Sequence, residues 1–490
     1  MAEVSNWGNH PRVDARVRTF SGDREAAALL QRASPLIPRG LGRCYGDSAL
    51  APVILSTRHR RRILEVEGRS AGTGEAGDRG KAETRRRAEG TVVCEAGISL
   101  GELLDVLVPR GWFLPVVPGT KHVTVGGAVA SDIHGKNHHR HGTFSRHVRW
   151  LDLLTPDGSV RRLEGPARGG ADGDPDEGAD RRKDRPPGSG AELFDATAGG
   201  MGLTGVVLRA ALRLVPVETA FLRTETWVAR DLEGIMALFR DSAEWTYSVA
   251  WIDCQARGRA LGRSVLFRGE HAAPGELEGE RAETPLTLPA GGFPLSVPVH
   301  LPSWTLNALS VRVFNALYFR RQARKARRRT EALQDYESFF FPLDAVEHWN
   351  RIYGRRGFVQ YQLVLPLEES ERGLPGILER VAASGLGSFL AVLKLMGMGR
   401  AEGREMLSFP RQGFTLALDF PVSSATFTLL EELDSFVLRH GGRLYLTKDA
   451  RMPRHVLEEG YPDVGPFRAL RRELDLPGTL ASLQSGRLEL

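Results

Sequence analysis

Two glycine-rich stretches stand out in this chain: Pro38-Arg-Gly-Leu-Gly-Arg-Cys-Tyr-Gly-Asp-Ser48 and Pro118-Gly-Thr-Lys-His-Val-Thr-Val-Gly-Gly-Ala-Val-Ala-Ser-Asp-Ile-His-Gly-Lys-Asn-His-His139. Each is flanked by apolar runs of the kind that form strands. Glycine lets the main chain approach a pyrophosphate closely, and successive backbone N–H groups then bind the anion. The first stretch lacks the Gly-x-Gly-x-x-Gly spacing of a dinucleotide motif, and no Walker lysine-serine/threonine pair is present. The two stretches therefore predict a backbone cradle for a large phosphorylated cofactor.

Composition predicts a globular protein of more than one domain. The chain has 490 residues, of which 41% are hydrophobic, and its formal net charge is +6. This length exceeds a single typical core, so we expect two domains. The basic excess is mostly arginine and is typical of a solvated surface. No nucleic-acid recognition module accompanies it, so no nucleic-acid partner is predicted. The three cysteines are widely spaced and indicate neither a disulfide framework nor a zinc cluster.

The N-terminus predicts no cleaved signal peptide. Met1 is followed by Ala-Glu-Val-Ser-Asn-Trp, which has neither a basic nor an apolar leader region. The sequence also lacks an apolar run of about 18 residues, the minimum for a membrane-spanning helix. We therefore expect a cytoplasmic or peripheral membrane protein.

Two polar segments interrupt the periodic pattern. Residues 68–90 are rich in Gly and Arg and residues 165–190 in Gly, Asp, Pro and Arg, and neither segment can bury enough apolar area to offset its ordering entropy. Both are predicted to be mobile surface insertions. The first lies between the alternating runs 63–67 and 91–96, which together predict a β-hairpin.

The middle of the chain changes character and becomes richer in aromatic residues. The run Phe358-Val-Gln-Tyr-Gln-Leu-Val-Leu365 alternates, which places Gln360 and Gln362 on one face of a strand. A substrate domain built on an antiparallel sheet would present such a face to the cofactor.

Five further sequence blocks extend the pattern of the two glycine-rich stretches. They are Gly199-Gly-Met-Gly-Leu-Thr-Gly205, Phe358-Val-Gln-Tyr-Gln362, Ser388-Phe-Leu390, Lys394-Leu395 and Gly441-Gly-Arg-Leu-Tyr-Leu-Thr-Lys-Asp-Ala-Arg451. In this order the blocks resemble the FAD-dependent vanillyl-alcohol oxidase / p-cresol methylhydroxylase superfamily. Within it they are most similar to the decaprenylphosphoryl-β-D-ribose 2′-oxidase family, and the resemblance runs from about residue 7 to the C-terminus. It implies oxidation of the ribose C2′ hydroxyl of a polyprenyl-phosphate sugar to the 2′-ketone, in the pathway to a cell-wall arabinose precursor.

The fold class that this resemblance implies is α+β, in the two-domain form of vanillyl-alcohol-oxidase-type flavoproteins. A discontinuous FAD-binding domain of the p-cresol-methylhydroxylase type would comprise residues 1–217 and 443–490. A substrate-binding cap domain with an antiparallel sheet would comprise residues 218–442.

The resemblance also assigns roles to individual residues. Flavin-dependent alcohol oxidation needs a positioned donor carbon, a group near the hydroxyl proton and positive charge near the flavin N1–C2=O edge. Lys448, Tyr45 and His134 match the catalytic positions. The residues implied to bind FAD are Pro38, Arg39, Gly40, Leu41, Gly42, Arg43, Cys44, Tyr45, Gly46, Asp47, Ser48, Gly119, Thr124, Val125, Gly126, Gly127, Ser131, Asp132, Ile133, His134, Val206 and Tyr445. Those implied to bind substrate are Trp251, Gln360, Gln362, Lys394 and Lys448, while Lys136, Asn137, His138 and His139 would shape the flavin-side wall.

Two departures from related oxidases bear on chemistry. Sugar-lactone oxidases carry a flavin-linking histidine where this chain has Arg43, so FAD is expected to bind noncovalently, with a thiol link through Cys44 as the alternative. Ala417 occupies the position of a cysteine in mycobacterial members that is an inhibitor target and is not needed for hydride transfer. The four histidines between positions 134 and 141 have no standard metal-ligand spacing, so no metal site is predicted.

One segment predicts contact with lipid. The apolar stretch from residue 301 to Phe319 is followed by Arg320-Arg-Gln-Ala-Arg-Lys-Ala-Arg-Arg-Arg329. An apolar stretch beside a basic run is typical of a helix lying on an anionic membrane surface. A buried helix with a solvated basic end is the alternative interpretation.

Three functions remain open at this point. The first is oxidation of a polyprenylphosphoryl ribose, with a short-chain dehydrogenase as the implied partner that completes the epimerisation. The second is an aldonolactone or alditol oxidase acting on a soluble sugar. The third is a flavin-fold binding protein without turnover, against which the intact Lys448, Tyr45 and His134 argue.

Overall fold

The structure is a computed structural model that describes residues 1–32, 35–68, 90–166, 189–289, 295–302, 305–328, 330–397, 406–474, 476 and 478–490. Both predicted insertions, 68–90 and 165–190, lie almost entirely outside these residues. The hairpin predicted around the first insertion is confirmed, because Ile63–Glu67 pairs antiparallel with Gly90–Glu95.

The described strands, in chain order, are β1 Ala2–Ser5, β2 Arg12–Thr19, β3 Ile37–Arg39, β4 Val53–Ser56, β5 Ile63–Glu67, β6 Gly90–Glu95, β7 Trp112–Phe113, β8 Val148–Leu154, β9 Val160–Glu164, β10 Val206–Pro216, β11 Phe221–Ala229, β12 Tyr247–Ile252, β13 Ser264–His271, β14 Leu295–Ser296, β15 Glu331–Asp335, β16 Val346–Glu347, β17 Phe358–Pro366, β18 Ala391–Met396, β19 Gly413–Pro421 and β20 Arg443–Leu444. The described α-helices are Asp23–Arg32, Leu100–Leu107, Val125–Ala130, His138–His141, Gly190–Thr197, Leu232–Arg240, Glu280–Glu283, Ala308–Arg328, Tyr336–Phe340, Leu367–Ser384, Ser424–Arg439, Arg454–Gly460, Val464–Glu473 and Leu483–Leu488.

Two sheets are built from the first 216 residues. A mixed sheet has the order β1-β2-β4-β3, in which β4 runs parallel to both of its neighbours. The second sheet has the order β5-β6-β10-β8-β9, with β7 pairing on β10, and its pairs are antiparallel. The first glycine-rich stretch leaves β3 directly, so this sheet edge positions it.

The largest described sheet lies in the middle of the chain. Its order is β15-β11-β13-β12-β18-β19-β17-β20, and every pair in it is antiparallel. The last strand, β20, belongs to the returning C-terminal segment and closes the edge beside β17. The predicted mixture of helices with antiparallel sheets is therefore confirmed.

Local sequence signals explain where several helices begin. Ser99 and Glu102 form a capping box at Leu100–Leu107, in which each side chain accepts the other residue's backbone N–H. Thr124 caps Val125–Ala130, since its Oγ1 accepts the N–H of Gly127 at 3.1 Å. This cap orients the second glycine-rich stretch. Within the described part of the chain, no helix is both long and apolar enough to cross a membrane.

Candidate active site

A cleft brings the two glycine-rich stretches together with the large sheet. It is lined by residues 38–45, by part of the stretch 118–134, and by side chains of β17, β18 and β19. The returning segment contributes the floor through Tyr445, Thr447 and Lys448. The sequence-predicted residues that line the cleft are Pro38, Arg39, Gly40, Leu41, Gly42, Arg43, Cys44, Tyr45, Ser48, Gly119, Thr124, Gly126, Gly127, Ser131, Ile133, His134, Gln360, Gln362, Lys394, Tyr445 and Lys448.

The first stretch has the backbone of an anion cradle. Gly42 adopts φ +65°, a left-handed conformation that favours glycine. No acceptor for the backbone N–H groups of residues 41–44 is found among the described residues, although these residues line the cleft. Successive unpartnered N–H donors of this kind suit the oxygens of a pyrophosphate. The residues present therefore fit a phosphorylated cofactor.

Five predicted cofactor residues lie in the supporting layer rather than on the surface of the cleft. Gly46 packs against the returning segment so closely that a Cβ atom would stand 1.8 Å from the carbonyl oxygen of Asp449. Asp47 pairs with Arg487, and the buried Asp132 accepts hydrogen bonds from the backbone of Ser145 and the hydroxyl of Ser408. Val125 and Val206 begin a helix and a strand, and both are fully buried.

Trp251 does not line the cleft. Its indole N–H donates to the carbonyl oxygen of Phe389 at 3.0 Å, and its ring centroid lies 4.7 Å from that of Tyr318. Trp251 therefore packs against the helix Ala308–Arg328, and its role in substrate binding stays a prediction.

Lys448 stands at the floor of the cleft beside Tyr45. Its Nζ lies 3.8 Å from the centroid of the Tyr45 ring. Burial lowers the pKa of Lys448 to about 7, against the opposing effect of the negative charge of Asp419. Burial also raises the pKa of Tyr45 well above its usual value, so its phenol stays protonated. The pair can therefore present a cation and a hydroxyl donor to a bound group.

His134 lines the cleft and contacts the large sheet directly. Its Nε2 lies 3.0 Å from the Nε2 of Gln362, and its Nδ1 has no hydrogen-bond partner among the described residues. Burial and the nearby Lys394 hold the pKa of His134 well below its usual value. The ring is therefore neutral, and it packs 5.3 Å from Tyr445, whose hydroxyl donates to the carbonyl oxygen of Ser131.

The residues that follow His134 form the wall behind it. The Lys136 ammonium contacts the carbonyl oxygen and the ring of Phe339, and Asn137 donates to the carbonyl oxygen of Pro115. His138 is buried, with its ring 6.3 Å from that of His134, and His139 reaches the carbonyl oxygen of Trp245. These side chains contact protein groups and do not line the cleft. Among the described residues, no cluster of three or more His, Cys, Asp or Glu side chains is arranged to hold a metal ion.

Asp419 is a buried acid behind the cleft lining that the sequence motifs did not indicate. It lies on β19, two and four residues beyond Ala417 and Thr415, which line the cleft on the same face. Its side chain is fully buried and accepts from Gln360 Nε2 at 2.6 Å. A signal was available, because an aspartate inside the largely apolar run 414–420 is costly unless it has a specific partner.

Comparisons with known proteins also indicate a cofactor-binding oxidoreductase. The family model of the FAD-binding domain matches residues 23–164. The decaprenylphosphoryl-β-D-ribose oxidase of Mycolicibacterium smegmatis is 34% identical over 496 residues, which covers 99% of this chain and 97% of that protein. An uncharacterized protein of Streptomyces coelicolor is 36% identical over 80% of this chain and 100% of its own length. The D-lactate dehydrogenase of Archaeoglobus fulgidus is 27% identical over 40% of this chain and 38% of its own.

Proposed function

This chain belongs to the decaprenylphosphoryl-β-D-ribose oxidase family of FAD-dependent oxidoreductases, and we propose that it oxidises the ribose C2′ hydroxyl of a polyprenylphosphoryl-β-D-ribose to the 2′-ketone. The observation that carries the proposal is the position of Lys448, a half-buried cation that lines the cleft together with the glycine-rich stretches and the polar side chains of the large sheet. The other walls of that cleft supply groups suited to a sugar.

The first glycine-rich stretch, whose residues 38–45 line the cleft, would hold FAD. The N–H groups of residues 41–44, which have no acceptor among the described residues, suit its pyrophosphate, and His134 Nδ1 is a further polar atom of the cleft without a partner in the described part of the chain. When bound, FAD supplies the hydride acceptor for oxidation of an alcohol carbon. We propose two domains for this task, a cofactor domain of residues 1–217 and 443–490 and a substrate domain of residues 218–442.

Lys448 would bind the reacting hydroxyl and supply positive charge. A cation at this point stabilises negative charge that develops during the reaction, and it acts strongly because the site is buried. The Lys448 ammonium lies over the face of the Tyr45 ring, which stabilises the cation. Gln360, Gln362 and Lys394 line the opposite wall and would orient the sugar and its phosphate.

Binding of FAD should be noncovalent. Arg43 replaces the linking histidine, and its guanidinium lies 4.0 Å from the centroid of the Trp7 ring. Burial raises the pKa of the Cys44 thiol, which keeps it protonated and poorly nucleophilic. Acid precipitation of yellow protein should therefore release all of the FAD into the supernatant, whereas flavin retained in the pellet would contradict this.

A lipid-linked substrate requires contact with a membrane, and we propose that the helix Ala308–Arg328, here called the outer helix, provides it. Its exposed apolar side chains lie on one face, namely Leu309, Val313, Phe314 and Leu317. Leu309 is 68% and Leu317 60% exposed, which is unusual for large apolar groups. The opposite face packs on the protein, where Asn315 donates to the carboxylate of Asp253 at 2.8 Å.

The outer helix also has the charge of a lipid-binding element. Its second half carries six exposed cations, and none of them pairs with an acidic side chain in the described part of the chain: Arg320, Arg321, Arg324, Lys325, Arg327 and Arg328. Near the apolar face, the ring of Phe314 lies 5.7 Å from that of Phe389, whose neighbour Leu390 lines the cleft. A prenyl chain could thus pass from lipid to the cleft along apolar side chains.

Vesicle binding tests the membrane proposal. Replacing Arg324, Lys325, Arg327 and Arg328 with glutamine should abolish sedimentation with anionic vesicles at low salt, since each basic residue contributes about 1 kcal/mol. The matched control replaces four exposed arginines elsewhere, Arg16, Arg18, Arg24 and Arg32, and should sediment like wild type. Equal loss in both variants, or no wild-type binding, would contradict a role for the outer helix.

Anaerobic flavin reduction tests the substrate. Polyprenylphosphoryl ribose should bleach the bound flavin in a single turnover, whereas free ribose, aldonolactones and alditols should not. Faster bleaching by a lactone or an alditol would favour the soluble-sugar alternative. The 2′-ketone product is a substrate for a separate reductase, and we propose that a short-chain dehydrogenase consumes it and completes the epimerisation.

A further inference from the structure

Asp419 is a buried carboxylate with too few hydrogen-bond donors around it to compensate a negative charge. Its side chain has no exposed surface, and its Oδ2 has no hydrogen-bond partner among the described residues. Its Oδ1 accepts from Gln360, the residue directly opposite on β17. An amide donor alone is a weak compensation for an ionised carboxylate in such a place.

Two of the groups that respond electrostatically to Asp419 belong to the proposed chemistry. Asp419 acts electrostatically on both Lys448 and Tyr45, raising the pKa of each. Burial in turn raises the pKa of Asp419 to about 7, and Lys448 opposes that rise. The acid and the amine therefore titrate in the same range and influence each other.

We propose that Asp419 is a positioning residue that keeps Lys448 protonated in the cleft, where the cation is needed for hydride transfer. The proposal rests on the proposed function of Lys448. It is supported by the placement of Asp419 on the cleft-facing side of β19 and by its unpartnered oxygen. Without a nearby negative charge, burial would favour the neutral amine.

The other groups around the pair do not replace Asp419. Lys394 on β18 lowers the pKa of Lys448, which works against protonation. His134 is neutral, and Tyr45 and Tyr353 are phenols whose pKa values burial raises well above the usual value. Cys44 raises the pKa of Lys448 least among the causes, and burial keeps its own thiol protonated. Among these neighbours, Asp419 is the acidic group that ionises near neutral pH.

Asp419→Asn is the decisive variant, because asparagine keeps an acceptor for Gln360 and removes the charge. The holoenzyme without substrate is acetylated with trace acetic anhydride across a pH series, and labelling of each lysine is measured by peptide mass spectrometry. The labelling midpoint of Lys448 should fall by about one pH unit, the scale on which a neighbouring opposite charge shifts a pKa. Lys325 on the outer helix is the internal control and should label identically in both proteins.

Flavin reduction by substrate supplies the second readout. From a Lys448 pKa of about 7, a fall of one unit leaves about one fifth as much cation at pH 7, so reduction should slow about fivefold there. The rate should recover as the pH is lowered, a pattern that a merely structural defect would not produce. Asp434→Asn is the matched control, since Asp434 is also buried but pairs with Arg451 and Tyr361 away from the cleft. It should leave both pH profiles unchanged.

The outcomes distinguish a failure of the inference about Asp419 from a failure of the proposed function. An unchanged Lys448 labelling midpoint in Asp419→Asn would overturn the inference. A lowered midpoint with undiminished reduction at pH 7 would also overturn it, because the neutral amine would then suffice. A wild-type protein that lipid-linked ribose does not reduce would instead contradict the proposed substrate, and the labelling result would still test the electrostatic role of Asp419.

Discussion

Charge occurs in two contrasting settings in this molecule. Around the cleft, Lys448 is half-buried and Asp419, Asp47 and Asp449 are buried, and each interacts with identifiable groups of the protein. On the outer helix, the cations are exposed and lie beside an apolar face. The first setting is one of strong, short-range interactions, and the second is suited to many weak interactions with the anionic lipid surface that we propose.

The difference predicts different responses to mutation and to salt. A buried charge that loses its partner keeps the whole cost of its desolvation. Exposed cations act collectively, and salt screens them beyond about 8–10 Å. Single substitutions should therefore have large effects that are insensitive to salt inside the cleft, and small effects that are sensitive to salt on the outer helix.

The largest effect should follow Arg487→Gln. Arg487 bridges the buried carboxylates of Asp47 and Asp449, each at 2.8 Å. Removing it leaves two uncompensated acids, and the free energy of unfolding should fall by about 3–5 kcal/mol. Arg454→Gln is the matched control, because Arg454 also pairs with two carboxylates but does so at the surface, and it should change stability little.

The pH dependence of this loss has a defined sign. Burial, together with the charge of Asp449, raises the pKa of Asp47 to about 6 even with Arg487 present. Without Arg487 the folded-state pKa values of both acids should rise above their unfolded values, so stability is lost as the pH increases. The gap between variant and wild type should widen from pH 5 to pH 8 in denaturant titrations. A gap of constant size would show that packing rather than charge is responsible.

Lys448→Met should have the next largest effect, on reaction rate rather than on stability. Loss of an electrostatic contact of this kind costs about 3 kcal/mol, or on the order of a hundredfold in flavin reduction. FAD content should remain normal, because the cradle lies in residues 38–45. Near-normal rates in single-turnover mixing would remove Lys448 from the mechanism.

A single substitution on the outer helix should have the smallest effect. Arg324→Gln should weaken binding to anionic vesicles by about 1 kcal/mol, or about fivefold, at low salt. The difference should shrink as salt is raised. A loss as large as that of the fourfold variant would mean that Arg324 makes a specific contact, and the contrast with the cleft would fail.

Local motifs identify most of the residues that line the cleft, on the glycine-rich side as well as on the large sheet. The glycine-rich stretches work through local backbone conformation, which a motif specifies directly, as at Gly42 with its positive φ. Lys448 and His134 were found because they lie inside such motifs. The sequence did not show that Trp251 lies outside the cleft lining, because its position depends on packing against Tyr318 and Phe389, which are distant in sequence.

Asp419 shows why some residues around the cleft could be identified only from the structure. Its run is an ordinary buried strand apart from one acid, and the meaning of that acid comes from Gln360 on β17 and Lys448 beyond β20. The outer helix is the reverse case. Its composition predicted an apolar stretch with a basic end, but which apolar side chains remain exposed is set by tertiary packing on Asp253 and Trp251.

The central claim is that hydrogen leaves the ribose C2′ carbon as the flavin is reduced. Polyprenylphosphoryl ribose carrying deuterium at C2′ should be mixed anaerobically with the holoenzyme, and flavin bleaching should be followed in a single turnover. The account predicts slower bleaching than with the unlabelled substrate, and no slowing when deuterium is at C3′ instead. Equal rates for the C2′-labelled and unlabelled substrates, or slowing by the C3′ label, would contradict it.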